Sequence, residues 1–236
     1  MPSHWLKTAR KIHKWLGYLL AAQLIAWLLG GFIMSAIPLE KVHGKHLAKR
    51  QLDNPFSFID YTGWSHVDWR SYGTFKAAEL SHFLQTPLIK IRTEKRTLYL
   101  NGLTGQPFVP PSQAEIAEQA KAHLLDANSN VAVIEKLEKG PREVGYRSNL
   151  WRVEMDDAWS TTLYLDAKSG QVLTVRSTLW RIFDFFWMLH IMDYSERENF
   201  NNPLLISFSA TSVLFCLSGI ILLFQAPPWR RRRAVR

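Results

Sequence analysis

Charged and apolar positions divide the chain into three stretches of different rhythm. From Trp15 to Leu39 there is no Asp, Glu, Lys, Arg or His, and from Pro203 to Pro228 there is again none. At a rise of about 1.5 Å per residue each run is long enough to cross a hydrocarbon core of about 30 Å, so the pattern predicts transmembrane helices over 15–39 and 203–226. A secretory signal would share the basic start at Lys7, Arg10, Lys11 and Lys14 and the small residues Ser35 and Ala36. The first run is, however, roughly twice as long as a signal's apolar core, and Trp15, Tyr18 and Trp27 suit anchors at a membrane interface.

Between the runs the apolar period shortens. Residues 40–73 read as an irregular connector, with a charged exit at Glu40–His46 and then the aromatic side chains Phe56, Phe58, Tyr61, Trp64, Trp69 and Tyr72, expected to cover the domain or lie on lipid headgroups. From Thr74, the spacing of Phe75, Ala78, Leu80, Phe83 and Leu84 suits a short helix stopped by Pro87. Strands at Leu88–Arg92 and Thr97–Leu100 and a tight turn at Asn101–Gln106 follow. A second cycle opens with Ser112 as helix cap, Glu115 as its capping-box partner and the stripe Ile116, Ala117, Ala120, Leu124. Strands are then predicted at Val131–Leu137, Leu150–Met155, Thr161–Asp166 and Val172–Arg176.

The two cycles align. Leu98-Tyr99-Leu100-Asn101-Gly102-Leu103-Thr104-Gly105-Gln106 matches Leu163-Tyr164-Leu165-Asp166-Ala167-Lys168-Ser169-Gly170-Gln171, and Leu88–Arg92 matches Leu150–Glu154. An Asn or Asp followed by Thr/Ser-Gly is a turn in which the side chain bonds the backbone two residues on and Gly takes the left-handed corner. The expected fold class is therefore α+β, with two helix-plus-antiparallel-hairpin units at 74–110 and 111–177. Residues 178–195 are apolar nearly all round but too short to span; an interfacial amphipathic helix and a core helix of the domain both fit.

Charge changes the picture of partners. The net +9 comes from the ends: residues 1–14 carry four Lys/Arg and no acid, and the tail 227–236 carries five Arg and no acid. The remainder is balanced, with 20 basic against 20 acidic residues. Both ends are thus expected in the cytoplasm, with 40–202 across the bilayer, and no nucleic-acid partner is expected because no basic stripe interleaves with aromatics. The single cysteine, Cys216, falls in the second apolar run, so the domain between the runs has no disulfide.

Chemistry is sparse. No phosphate loop, nucleophilic triad, zinc spacing or dinucleotide fingerprint occurs, and Asp156-Asp157 reads as a solvated turn, so a self-contained enzyme is not expected. Histidines are the candidates. His13 stands at the inner mouth of the first run, while His43, His46 and His190 are expected near the outer face, with Asp193 placed to orient His190. His43 and His46 also fit as ordinary loop residues, and His13 as an ordinary interfacial anchor.

The repeated Thr/Ser-Gly hairpin between two apolar runs resembles the PepSY domain. The opening Lys11-Ile12-His13-Lys14-Trp15-Leu16-Gly17 and the closing Trp187-Met188-Leu189-His190 and Leu217-Ser218-Gly219-Ile220 resemble the PepSY-associated transmembrane proteins of the iron-regulated type. Larger members have four or more spanning helices, from which this chain departs. The resemblance implies an inner-membrane protein with a periplasmic domain that binds or regulates a partner membrane or periplasmic protein, restraint of peptidases included. It also implies an alternative: b-type haem on His13 and His190 for ferric-reductase-like electron transfer, with His43 or His46 as the partner of His190 within one chain and His4, or His13 of a second copy, as the partner of His13. A homodimer would supply four spanning helices and the missing ligand pairs.

Overall fold

The computed structural model describes residues 4–225; the basic tail expected at 227–236, with Arg230–Arg233, lies outside them. The chain divides into a helical unit, formed by the N-terminal segment to Pro38 and everything from Ile182 onward, and a sheet unit, Leu39–Arg181.

In the helical unit, α1 (His4–Ala36) is 33 residues long. It begins well before the apolar run, because Lys7, Arg10, Lys11 and Lys14 are good helix formers. It stops at Ala36, two residues short of Pro38, as the backbone clash ahead of a proline requires. Its antiparallel partner is α5 (Pro203–Gln225): the Phe215 ring lies 3.3 Å from where a Cβ on Gly17 would stand, and Trp27 meets Phe208 edge-on at 5.3 Å. Both helices are long and apolar enough to cross a membrane. Their flanks are bare: Leu19, Leu28, Phe32, Leu204 and Leu223 are each more than half exposed. Surface of this kind is stable only out of water, at about 25 cal/mol for each Å² removed.

The segment expected to be helical over 178–195 forms α4 (Thr178–Ile191) and ends where Met192 takes a positive φ of 54°. From Ile182 onward it belongs to the helical unit. Gln23 donates to the Leu189 carbonyl at 2.9 Å and the Trp27 indole to that of His190, while Gly30 leaves room for the Phe186 carbonyl. It is thus not a core helix of the sheet unit, and its polar contacts to α1 distinguish it from a helix held by lipid alone.

The sheet unit starts with a helical turn, α2 (Leu39–Val42), and three 3-10 turns at Phe58–Asp60, Thr62–His66 and Trp69–Tyr72. A three-stranded antiparallel meander follows: β1 (Phe75–Phe83), β2 (Thr86–Thr93) and β3 (Thr97–Asn101). The helix expected at Phe75–Leu84 is therefore a strand. It is closed onto β2 by a two-residue corner in which Leu84 adopts a φ of 49°, with Phe83 opposite Thr86. Cross-strand pairing along the whole of β2 outweighs the weak three-and-four spacing that suggested a helix. Pro87 does not stop the element before it; it sits inside β2 opposite His82. Then α3 (Gln113–His123), with the expected Ser112–Glu115 capping box, leads to a four-stranded meander of β4 (Asn130–Lys139), β5 (Ser148–Asp156), β6 (Thr162–Asp166) and β7 (Val172–Arg176).

The two meanders share one plan. Leu88 faces Asn101 as Leu150 faces Asp166, and the pairing stays in step to Arg92–Thr97 and Glu154–Thr162. Glu79 lies opposite Lys90 as Glu135 lies opposite Arg152, and a bulge falls at Phe75/Ala77 in β1 and at Val131/Val133 in β4. The turns agree bond for bond: Gly105 N–H donates to the Asn101 carbonyl at 2.8 Å and Gly170 N–H to that of Asp166 at 2.8 Å. In each, the Asn101 or Asp166 side chain accepts from the backbone two and three residues on. The common element is thus three strands and a turn, not a helix and a hairpin.

What differs is the cover on each sheet. Ile89, Ile91 and Leu100 of the first are buried under Tyr61, Val67, Trp64 and Trp69 from the connector. Trp151, Val153, Met155 and Leu163 of the second are buried under Ile116 and Ala120 of α3. The aromatic connector occupies the place that the helix takes in the second copy. Gly63 makes this possible: its N–H donates to the Gly102 carbonyl at 2.7 Å, and a Cβ there would run into the backbone of Gly102, Thr104 and Gly105.

Candidate functional site

His13 lies against α5. Its ring stacks on Phe215 at 4.3 Å with 5° between planes, and Gly219 leaves room for its Cε1. Its Nδ1 is 2.7 Å from Ser218 Oγ, whose own proton goes to the Phe215 carbonyl at 2.7 Å, so Nδ1–H is the donor. His190 stacks on Trp27 at 5.3 Å, with Nδ1 buried and without a hydrogen-bond partner among the described residues. Trp27 and His13 are 14 positions apart on α1, a rise of about 21 Å. One haem iron needs two imidazoles facing each other across the ring plane. His13 and His190 therefore do not fit a single bis-histidine haem.

The other expected ligands are placed in the sheet unit. His43 is part-buried; burial, with Arg50 and Arg176 nearby, holds its pKa below the ordinary value. His46 is exposed and meets Trp159 edge-on at 6.2 Å. Asp193 takes a different role from orienting His190. Its carboxylate accepts from Ser195 N–H and Oγ, Glu198 N–H and Asn199 N–H, at 2.9–3.2 Å, and so folds the loop ahead of α5. Those donors hold its carboxyl well below the usual range.

The sheet unit carries a more developed site. On the face of the second meander turned away from α3 lies a groove of about 720 Å³. Arg152 of β5 forms its floor, bonded to Glu135 at 2.8 Å and also to Glu154. Beside it the fully buried Tyr164 donates its hydroxyl to Glu143; burial and that hydrogen bond push the phenol pKa up, so it remains a donor. Glu143 also accepts from Arg181 Nε at 3.2 Å, and Arg181 reaches Thr162 Oγ1 at 3.1 Å. Lys139 and the exposed Tyr146 stand at the rim, the ammonium 5.3 Å from the ring centroid. Arg152 and Arg181 with Glu135, Glu143 and Glu154 therefore form one polar floor fixed in place by mutual hydrogen bonds, and Lys139 at the rim balances its charge. Such a balanced groove suits an uncharged or mixed polar chain rather than a polyanion.

The corresponding face of the first meander is filled from within. Gln171 Nε2 donates to Ser81 Oγ at 2.8 Å, and a smaller cavity of about 350 Å³ remains between Arg50, Glu79, His82 and Lys90. Next to it His123 is buried: Nδ1 bonds the Lys49 carbonyl at 2.6 Å, and Nε2 meets the Gln119 amide at 3.1 Å. Since Gln119 Oε1 accepts from Leu84 N–H, its NH₂ donates to Nε2 and the imidazole is neutral. Burial holds its pKa down accordingly.

None of the groove residues was singled out from the sequence. Glu143 and Arg181 are joined only by the fold, but Arg152 had a signal, since it aligns with Lys90 in the repeat. His123 had one too, because it continues the stripe of Ile116 and Ala120. Comparison of the chain with protein-family models, with curated proteins and with solved structures gave no match.

Proposed function

We propose that this chain is a membrane-anchored binding subunit. Its sheet unit is a PepSY-like domain on the periplasmic side of an inner membrane, with both termini cytoplasmic, and it captures a segment of a partner polypeptide belonging to a membrane or periplasmic system. The observation that carries this reading is the groove on the second meander: about 720 Å³, open, rimmed by Lys139 and Tyr146 and floored by an ordered polar network. A groove of that size, with donors and acceptors already oriented, supplies what a peptide backbone seeks. Sidedness is supported by the basic residues gathered at 1–14 and after Trp229. Among the described side chains of the helical unit no two imidazoles face each other as the electron-transfer alternative would need, and the binding reading stands without it.

A photo-crosslinking amino acid at Tyr146, in the full chain in its own membrane, tests the reading. A discrete adduct heavier than the chain is expected, absent with the same probe at the exposed Ser71, and weakened about tenfold or more by Arg152→Glu. No adduct at Tyr146, or equal adducts at both positions, would contradict it.

A further inference from the structure

The open edge of the second meander carries a charge order that fits a second copy of itself. β4 is the outer strand of its sheet, paired with β5 on one side, and Ala132, Val133, Lys136, Glu138 and Lys139 are exposed along it.

Along this edge the sequence reads Glu135-Lys136-Leu137-Glu138-Lys139. Two copies related by a two-fold axis can pair antiparallel only about a residue position, because residues directly opposite must have the same backbone orientation. Centred on Glu135 or on Glu138, acid meets acid; centred on Lys136, base meets base. Centred on Leu137, Glu135 faces Lys139, Lys136 faces Glu138, and the leucines face each other. In that register every cross-strand charge pair is opposite in sign. Pro141, lacking an N–H, then falls opposite Val133 and ends the ladder.

We propose that β4 pairs with β4 of a second copy in this register, forming one eight-stranded antiparallel sheet across the two-fold axis. Opposed residues of an antiparallel pair share a face, so the two grooves lie on the same side of the joined sheet. Charged edge strands usually resist pairing, and this edge does so toward most sequences. A second copy is the partner whose order of charges reverses its own. Confinement to a membrane surface would raise the local concentration that a five-residue pairing needs. This inference is independent of what occupies the groove.

The test uses the full chain in a Cys216→Ala background, with two differently tagged copies co-expressed. One copy carries Lys136→Cys and the other Glu138→Cys, and mild oxidation should give a mixed disulfide several-fold above either variant alone. Position 136 lies diagonally from its own copy, about 7–8 Å away and outside disulfide reach. Charge reversal gives a second readout on exposed residues that tolerate substitution. Lys136→Glu should weaken dimerisation about tenfold in detergent sedimentation, since two like-charge pairs replace two opposite ones. Adding Glu138→Lys should restore it. Cross-linking no greater in the mixed pair than in either single variant, or no recovery in the doubly reversed chain, would overturn the proposal.

Discussion

The two meanders of the sheet unit have the same strand register, the same bulge, the same Glu–Lys/Arg pair and the same Asx-Thr/Ser-Gly turn, yet one is closed and the other open. In the first, the aromatic connector covers one face and Gln171 reaches across the other. In the second, α3 covers one face, while the other keeps an open groove beside the buried Val144, Leu150 and Tyr164, and β4 is the outer strand. The difference lies in what flanks the repeat, not in the repeat. A repeated scaffold of this kind would let one copy serve as support and the other as the proposed binding surface.

The comparison is most sharply broken by removing a cover. Ile116 is fully buried between α3 and the second sheet, and Ile116→Ala should cost about 3–4 kcal/mol, read by urea unfolding of the full chain in detergent. Next is the glycine that lets the irregular cover approach the first turn. Gly63→Ala places a methyl against backbone that cannot swing aside, and should cost about 2–3 kcal/mol. If Gly63→Ala were neutral, the connector would not be the first sheet's cover.

A smaller effect comes with pH. His43, His82 and His123 of the sheet unit all have pKa values lowered chiefly by burial. The unfolded chain then binds more protons than the folded one below the ordinary histidine value of about 6.5. Stability is therefore full above that pH and falls as pH drops below it. His123→Gln should flatten part of that slope in unfolding curves taken between about pH 7 and 5. An unchanged slope would mean that His123 is charged where it is buried.

Much of this plan was legible in the residues. The two apolar runs, six of the seven strands, the Ser112 cap and the Asx-Gly turns follow from period, capping and turn chemistry. Leu98–Gln106 and Leu163–Gln171 announced the duplication. β1 was not legible, because its corner relies on Leu84 in a left-handed conformation, which sequence seldom signals, and because Phe75, Ala78 and Phe83 mimic helical spacing. The groove was hidden for a different reason. Glu143 and Arg181 come together only when the loop after β4 and the start of α4 meet over Tyr164, far apart in the chain.

The proposed outward-facing binding unit, held by two membrane helices, is tested most directly by its sidedness. Leu103 is exposed in the turn after β3. In a Cys216→Ala background, Leu103→Cys should react with a membrane-impermeant maleimide in intact spheroplasts as fully as after permeabilisation. Reaction only after permeabilisation would place the sheet unit in the cytoplasm and contradict the account.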